Sequence, residues 1–331
     1  MVRVIRSRRF HRACRIAVLC VLGMAPLWQG DLSAATALNS PYADPSDQLT
    51  EIVVEGHGPR FVAPTRRDRI GRIWAPVYIN GKGPFRLVLD TGATQSALTS
   101  TVASILALPL DRSPPMLLRG VTGTVTVPTV KVDTLTVGDL SVDEAVLPIV
   151  PDALGGADGI LGTAGLFDKR IRIDFRRDRI TITYSRGERA ERDFQTIRFR
   201  PSLVTPIIVD AYVGDVPAKA IIDTGGQLTI ANYALRDALV RNRFMLRGKR
   251  DQIQDATKAV KDGEIIATPA IAIGSIEMHD AGVTYSDLPI FSHWHLMHRP
   301  AILIGMDALG LLDTLVIDYK RHELQLRLPE G

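Results

Sequence analysis

Residues 84–92 read Pro-Phe-Arg-Leu-Val-Leu-Asp-Thr-Gly, and residues 217–225 read Pro-Ala-Lys-Ala-Ile-Ile-Asp-Thr-Gly. In each stretch, an apolar run of the kind that forms a strand ends at Asp-Thr-Gly. A single Asp-Thr-Gly indicates little, because Asp and Gly favour any turn that follows a strand. Two copies after matching strands point instead to an internal duplication.

Three more motif pairs follow the two Asp-Thr-Gly motifs in the same order. They are Thr-Val-Gly at 136–138 with Ala-Ile-Gly at 272–274, Ile-Leu-Gly at 160–162 with Leu-Ile-Gly at 303–305, and Ile-Asp-Phe at 173–175 with Ile-Asp-Tyr at 317–319. The spacing between partners only increases along the chain, as duplication followed by loop insertion in the second copy would produce. We therefore divide the chain into a first lobe at 71–185, a linker at 186–194 and a second lobe at 195–331.

Short runs rich in β-branched residues, separated by Gly, Pro and Asp, predict an all-β fold. Examples of the predicted strands are 75–79, 85–89, 125–130, 134–137, 171–175 and 180–184. Helical patterns are few, at 100–108 and 233–241. We expect two homologous β-barrel lobes with a few short helices.

The N-terminal 37 residues have the three-part pattern of a secretory signal peptide. Six arginines precede an apolar run at 16–28, and a small-residue stretch follows at 33–37. The alternatives are a buried helix or a membrane anchor, but the run is shorter than the roughly 20 residues of a membrane span. Residues 38–70 are predicted to be a tether with one leading strand.

The basic character of the chain belongs to this leader. The whole chain has a net charge of +4, and residues 1–37 carry six Arg and one Asp, so the remainder is close to −1. Both cysteines, Cys14 and Cys20, lie in the leader. The mature chain therefore offers no electrostatic reason to expect nucleic-acid binding and has no disulfide.

Taken together, the two Asp-Thr-Gly motifs and the two later glycine motifs resemble those of the aspartic proteases. The similarity covers most of residues 71–328 and is greatest to the bacterial, single-chain, two-lobed, retropepsin-like branch, including the periplasmic polarity-protease group. It implies pepsin/retropepsin-like β-barrel lobes with an active site in the cleft between them. It also implies that each Ile-Leu-Gly type strand passes beside an Asp loop and fixes it.

The resemblance implies that Asp90 and Asp223 form a catalytic pair. Two carboxyl groups a few ångströms apart share one proton, so that the ionised one activates a water and the protonated one donates to the substrate carbonyl oxygen. Gly92 and Gly225 would let the backbone pass close to the pair.

Thr91 and Thr224 support the pair in this family by hydrogen bonding across the lobe interface. The residues after the two motifs are Ala93 and Gly226, where pepsin-like enzymes carry a hydroxyl residue, and Gln227 follows. Fewer hydrogen bonds to the ionised pair predict a less acidic pH optimum than that of stomach enzymes.

A glycine-tipped segment at 119–124 is a candidate flap, with Val121, Thr122 and Gly123 at its tip. Family members cover the cleft with such a hairpin, and a purely structural hairpin is the alternative. The second-lobe counterpart at 249–261 is longer and charged. It is predicted to be a mobile loop or an asymmetric flap.

A histidine cluster at His293, His295 and His298 raises the possibility of a metal site. A loop leading into the following strand is the preferred interpretation, because no Cys or suitably spaced acidic ligand accompanies the histidines. We predict neither a metal nor another cofactor.

The sequence thus predicts an exported aspartic endopeptidase that acts on extended peptides or proteins. A single chain suffices for the site, and neither nucleic-acid binding nor stable membrane insertion after signal cleavage is expected. The location would be the periplasm in a Gram-negative bacterium and otherwise the exterior. A catalytically silent peptide-binding module is the first alternative, and a hydrolase using the histidine cluster is the second.

Overall fold

The computed structural model describes residues 61–64, 72–110, 113–151, 155–200, 206–246, 248–254, 260–279 and 281–329. The predicted signal peptide at 1–37 lies outside these residues. So does the predicted tether at 38–70, apart from a strand at Phe61–Pro64.

The elements of the first half, in chain order, are β1 Phe61–Pro64, β2 Trp74–Ile79, β3 Lys82–Leu89, β4 Ala97–Thr99, α1 Ser100–Ile105, β5 Met116–Arg119, β6 Thr124–Val127, β7 Thr129–Val137, β8 Leu140–Val150, β9 Gly159–Leu161, β10 Lys169–Asp174 and β11 Arg179–Tyr184. Those of the second half are β12 Gln195–Arg198, β13 Ile208–Val213, β14 Val216–Ile222, β15 Ile230–Ala231, α2 Tyr233–Arg241, β16 Gly248–Gln254, β17 Val260–Ala267, β18 Ile271–Ile273, β19 Ile276–Met278, β20 Gly282–Tyr285, α3 Pro289–His293, β21 Ala301–Ile304, α4 Met306–Leu309, β22 Thr314–Asp318 and β23 Glu323–Arg327.

The first lobe is a closed barrel of six strands in the order β2-β3-β9-β4-β8-β7. Alternation along β2 places Ala75, Val77 and Ile79 in the core, each with no exposed surface. This period of two is what one buried face of a strand requires. The hairpin β5–β6 stands apart from the barrel as its own two-stranded sheet.

The second lobe is a curled nine-stranded sheet in the order β16-β17-β20-β15-β21-β14-β13-β18-β19. Its strands β13, β14, β15 and β21 repeat the pairing of β2, β3, β4 and β9 in the first lobe. The prediction of an all-β, two-lobed fold is confirmed. The second sheet curls into a half-barrel, whereas the first closes.

A six-stranded sheet joins the lobes, in the order β1-β11-β10-β22-β23-β12. Strands β10 and β22 lie side by side, so that Ile171 pairs with Ile317 and Arg170 with Asp318. These strands carry the duplicated Ile-Asp-Phe and Ile-Asp-Tyr motifs. The duplicated halves are therefore covalently continuous through the linker and also hydrogen-bonded to each other.

Two predicted strands and one predicted helix differ from the structure, since the strand predicted at 134–137 is the end of the longer strand β7. The strand expected at 125–130 is two strands, β6 and β7, separated at Pro128, because proline has no N–H to continue a ladder. The helix expected at 100–108 ends at Ile105. The second predicted helix is present at Tyr233–Arg241, begun by the Asn232 side chain, which accepts from the N–H of Leu235.

Within the described part of the chain, no helix combines the length and the apolar character needed to cross a bilayer.

Candidate active site

The two Asp-Thr-Gly motifs occupy equivalent positions at the ends of β3 and β14. Strand β9 runs parallel to β3, and β21 runs parallel to β14. The N–H of Asp90 donates to the carbonyl oxygen of Leu161 at 2.9 Å, and the N–H of Asp223 donates to that of Ile304 at 3.1 Å. Each Ile-Leu-Gly type strand therefore holds the backbone at which a catalytic aspartate is expected.

The glycines that end these supporting strands lie against the loop of their own lobe. A Cβ atom at Gly162 would lie 2.4 Å from the carbonyl carbon of Gln95, and one at Gly305 would lie 2.5 Å from the carbonyl oxygen of Leu228. Real Cβ atoms do not approach backbone atoms so closely. The recurrence of glycine in both motifs thus has a steric cause, which is the passage of one chain segment across another.

The carboxyl groups of Asp90 and Asp223 are hydrogen-bonded to each other at the interface between the lobes. The N–H groups of Gly92 and Ala93 donate to Oδ1 of Asp90 at 2.8 and 3.0 Å. Those of Gly225 and Gly226 donate to Oδ1 of Asp223 at 3.0 and 3.1 Å. The two carboxyl groups are therefore held by matching pairs of backbone donors.

The threonines of the two motifs exchange hydrogen bonds behind the carboxyl pair. The N–H of Thr91 donates to the Thr224 hydroxyl, and the N–H of Thr224 donates to the Thr91 hydroxyl, both at 3.1 Å. Each hydroxyl donates in turn across the interface at 2.7 Å, Thr91 to the carbonyl of Ile222 and Thr224 to that of Leu89. Both side chains are buried. This crossed network fixes the distance between the two motifs.

The motif glycines lie directly against the carboxyl groups. A Cβ atom at Gly225 would lie 2.2 Å from Cγ of Asp90, and one at Gly92 would lie 3.0 Å from Oδ1 of Asp223. Each lobe thus places its glycine over the other lobe's aspartate. A larger residue at Gly225 would displace the carboxylate.

Burial raises the pKa of both carboxyl groups above their ordinary value, and at Asp223 the negative charge of Asp90 adds to this effect. The backbone donors oppose the shift at both residues. A close pair of buried carboxyl groups therefore retains one proton at pH values where an isolated aspartate has lost it. Such a pair can supply a general base and a general acid at the same time.

Comparison with known proteins adds an independent finding. Residues 75–164 match the aspartyl protease family. The matched stretch is about a quarter of the chain and contains Asp90, the hairpin β5–β6 and the glycine motif at 160–162. No curated protein matches the chain significantly.

The aspartyl protease match ends before the second lobe begins. Asp223 and Thr224 are therefore connected to this family by the internal repeat and by their contacts with Asp90 and Thr91. A protease-like function is supported by the matched domain.

The predicted flap segment of the aspartyl protease domain is the turn of the hairpin β5–β6. The N–H of Gly120 donates to the carbonyl of Gly123 at 2.9 Å, which closes the turn. Val121 is half-buried against an apolar cluster of the second lobe that includes Phe291 and Trp294. Thr122 is 1% exposed. The tip of a first-lobe hairpin thus contacts the second lobe.

The second-lobe segment at 249–261 is also a hairpin, formed by β16 and β17 with residues 255–259 outside the described part. Unlike β5–β6, it is hydrogen-bonded to the lobe's main sheet through β20. Ile253 is buried in the same apolar cluster as Phe291. The two hairpins are therefore asymmetric in their attachment.

The predicted histidine cluster lies around the end of helix α3. His293, His295 and His298 are exposed, whereas Trp294 between them is buried at 8% exposure. Among the described residues, no three His, Cys, Asp or Glu side chains converge in a way that could hold a metal ion. In the structure this segment is a helix end and a loop that leads into β21.

Tyr319 was not singled out by the sequence, although it differs from its repeat partner Phe175 by one hydroxyl. That hydroxyl is buried and has no hydrogen-bond partner among the described residues. Burial raises the pKa of Tyr319, and the negative charge of Asp90 raises it further. A phenol therefore lies within the electrostatic reach of the carboxyl pair, and the Phe-to-Tyr difference within the repeat was the available signal.

Proposed function

We propose that this protein is an exported aspartic endopeptidase in which a water bound between Asp90 and Asp223 attacks the peptide bond. The observation that carries the proposal is the hydrogen-bonded carboxyl pair, one member from each lobe, held by four backbone donors. Among the described residues, no other two carboxyl groups come one from each lobe and each follow a copy of the repeated Asp-Thr-Gly strand.

The proposed reaction follows from the charge state of the pair. With one proton shared, the ionised carboxylate accepts a proton from the water as its oxygen attacks the amide carbon. The protonated carboxyl donates its proton to the carbonyl oxygen, giving a neutral tetrahedral intermediate. Collapse of that intermediate breaks the C–N bond: the amine leaves with the proton that the pair took from the water, and a hydroxyl of the diol returns its proton to the pair as the new carboxyl group forms. The two residues end the cycle with one proton between them.

The lobes provide what the substrate needs besides the carboxyl pair. An extended peptide presents backbone N–H and C=O groups on both sides, which suits addition to a strand edge. The hairpin β5–β6 is hydrogen-bonded to neither lobe sheet and offers such an edge. We infer that this hairpin covers the peptide and excludes water, with Val121, Thr122 and Gly123 at its tip.

The remaining parts of the proposal rest on the sequence. The leader pattern at 1–37 supports export, to the periplasm in a Gram-negative bacterium. Because both aspartates belong to one chain, a monomer suffices. The finer kinship to the single-chain bacterial branch and the polarity-protease group is part of the same proposal.

The test is cleavage of an unstructured protein by the purified mature chain. Asp90→Asn and Asp223→Asn are each expected to abolish cleavage, because neither variant can share a proton between two carboxylates. Asp215→Asn, in the exposed turn between β13 and β14, is the matched control and should retain activity. Pepstatin is expected to inhibit, and a chelator is not.

Two outcomes would overturn the proposal. Undiminished cleavage by either aspartate variant would exclude the carboxyl pair. Wild-type protein that binds the unfolded substrate without cutting it would establish a silent peptide-binding module instead.

A further inference from the structure

A cavity of about 940 Å³ lies between the lobes, next to the first Asp-Thr-Gly motif. Both lobes and the flap hairpin contribute to it, through Thr91 and Thr163 of the first lobe, Phe199 and Trp294 of the second, and Arg119 of β5. Neither aspartate lines the cavity, but Thr91, the residue after Asp90, does. Tyr319 is also part of the wall, and the negative charge of Asp90 raises the pKa of its hydroxyl. The cavity therefore flanks the reacting centre and is suited to a side chain of the bound peptide. We call it the basic arm.

The name reflects the charges on its walls. Two arginines, Arg119 and Arg200, and three histidines, His293, His295 and His322, line the basic arm, and no acidic residue does. By composition alone this is unexpected, because acidic and basic residues are nearly balanced in the mature chain. An uncompensated group of like charges in a concave wall attracts a ligand of opposite charge.

The two arginines differ from other arginines near the lobe interface in their ion pairing. Among the described residues, no carboxylate forms an ion pair with Arg119 or Arg200. Elsewhere arginines near the lobe interface are paired, as Arg170 is with Asp318 at 2.9 Å and Arg321 with Glu323 at 2.8 Å. The guanidinium groups of the basic arm thus keep their hydrogen-bonding capacity for a ligand, and a guanidinium pairs with a carboxylate in a bidentate geometry.

The floor of the basic arm is apolar. Phe199 and Ile207 are 7% and 4% exposed, Trp294 is 8% exposed, and all three contribute to the wall. Methylene groups can lie on such a floor while a charged end reaches the rim. A glutamate side chain has both the methylene groups for the floor and the negative charge for the rim. An aspartate has the same charge but one methylene group fewer.

We propose that the basic arm is a specificity subsite that selects substrates with an acidic side chain near the bond to be cleaved, on one side of it. This rests on the proposed function, since it assumes that the cleft binds a peptide across Asp90 and Asp223. Arg119 and Arg200 bind the carboxylate, and the apolar floor holds the stem. Because Arg119 lies on the flap hairpin, an acidic side chain also attaches the flap to the second lobe.

The test uses the full chain, purified after removal of its leader, and a set of peptides of one parent sequence. Glu, Gln or Lys is placed in turn at each of the three positions before and the three after the cleaved bond, and kcat/KM is measured. The expected result is a preference for Glu over Gln of about fivefold to twentyfold at one or two adjacent positions on one side only, with Lys disfavoured there. The preference should shrink in high salt, since exposed charges are screened.

Variants assign the preference to the arginines. Arg119→Gln and Arg200→Gln should each lower kcat/KM for the Glu peptide about threefold more than for the Gln peptide, and the double variant should remove the preference. Arg241→Gln, on the exposed surface of α2 and outside the cavity wall, is the matched control and should leave the Glu-to-Gln ratio unchanged. A ratio near one at every position, or a ratio that survives the double variant, would overturn the proposal.

A binding experiment separates this proposal from the proposed function. The Asp90→Asn variant is mixed with fluorescently labelled Glu and Gln peptides, and their affinities are compared by anisotropy. Tighter binding of the Glu peptide that depends on Arg119 and Arg200 supports the basic arm even if the wild type cleaves nothing, in which case only the proposed function fails. Equal affinities would overturn the basic arm whether or not the enzyme is active.

Discussion

Thr91 and Thr224 each donate a backbone N–H to the hydroxyl of the other at 3.1 Å, so that the two lobes meet through a symmetric, fully buried exchange of hydrogen bonds. Each hydroxyl in turn donates a hydrogen bond to a carbonyl oxygen of the facing lobe, Thr91 to Ile222 and Thr224 to Leu89. A network of this kind couples stability to geometry, because the same bonds that hold the lobes also position Asp90 and Asp223.

Thr224→Val is expected to reduce both stability and turnover. The substitution keeps the shape of the side chain and leaves the N–H of Thr91 and the carbonyl of Leu89 without partners, which costs about 1–3 kcal/mol in the free energy of unfolding. Urea unfolding and kcat measure the two effects. Thr224→Ser, which keeps the hydroxyl, is the control and should stay close to the wild type, and equal behaviour of the Val and Ser variants would contradict the prediction.

Gly225→Ala is expected to abolish turnover while the chain still folds. Its methyl group would lie 2.2 Å from Cγ of Asp90, so the carboxylate must move away from Asp223. A misplacement of about 1 Å can lower the rate of the chemical step about 100-fold. Gly282→Ala, whose methyl group would meet only Ile265 at ordinary contact distance, is the control for kcat. Normal turnover in Gly225→Ala would show that the site is not as close-packed as described.

Asp223→Asn is expected to stabilise the folded protein at neutral and higher pH. The pKa of Asp223 is raised in the folded state above its value of 3.8, so the folded state holds this proton more tightly than the unfolded state does. Stability from this group is therefore complete below pH 3.8 and declines as the pH rises through the folded-state pKa. The neutral amide removes that loss.

Thermal unfolding of Asp223→Asn and the wild type at pH 8 and pH 3 measures this difference. The variant should have the higher Tm at pH 8, and the two Tm values should converge at pH 3. A variant that is less stable than the wild type at pH 8 would contradict the assigned direction of the pKa shift.

The pH–rate profile should be centred above the strongly acidic range. Burial and the charge of Asp90 raise the pKa of Asp223 to about 8, and burial also raises the pKa of Asp90. Activity requires the singly protonated pair, so kcat/KM should fall as the pH rises through about 8 and should fall again in acid when the second carboxylate is protonated. A maximum near the pH of the stomach would refute the assignment.

Arg170→Met is expected to weaken the contact between the lobes. Arg170 lies on β10 and forms an ion pair at 2.9 Å with Asp318 on β22, whose side chain has no exposed surface. Removing the guanidinium leaves a buried carboxylate whose remaining donors, among the described residues, are the Ser185 hydroxyl and the N–H of Arg321. The expected loss is about 3 kcal/mol in the free energy of unfolding.

The neighbouring pair on the same strand supplies the control. Arg172 and Glu191 lie at 3.3 Å with side chains that are 34% and 61% exposed. Arg172→Met should therefore cost at most about 1 kcal/mol. Equal losses in the two variants, measured by chemical unfolding, would show that burial does not govern the strength of these ion pairs.

The architecture could be predicted from the sequence because the same motifs occur in both halves of the chain. A strand-forming run precedes each Asp-Thr-Gly, and a glycine follows later in each half, at 162 and at 305. Both signals can be recognised from neighbouring residues: alternation buries one face of a strand. Glycine alone fits where one chain segment passes close to another. Errors arose where local signals compete with tertiary pairing. The strand predicted at 125–130 spans Pro128, where β6 of the separate hairpin ends and β7 of the barrel begins.

The way the parts of the site meet depends on the packing of the two lobes. Three features of the site depend on contacts between residues more than 100 positions apart. They are the hydrogen bond between Asp90 and Asp223, the hydrogen bonds between Thr91 and Thr224, and the effect of the Asp90 charge on Tyr319. The grouping of Arg119 and Arg200 on one wall of the cleft has no sequence signal at all, because each belongs to a different lobe. Repeats and residue types specify the elements of this protein, whereas burial and the packing of one lobe on the other set its distances, charges and pKa values.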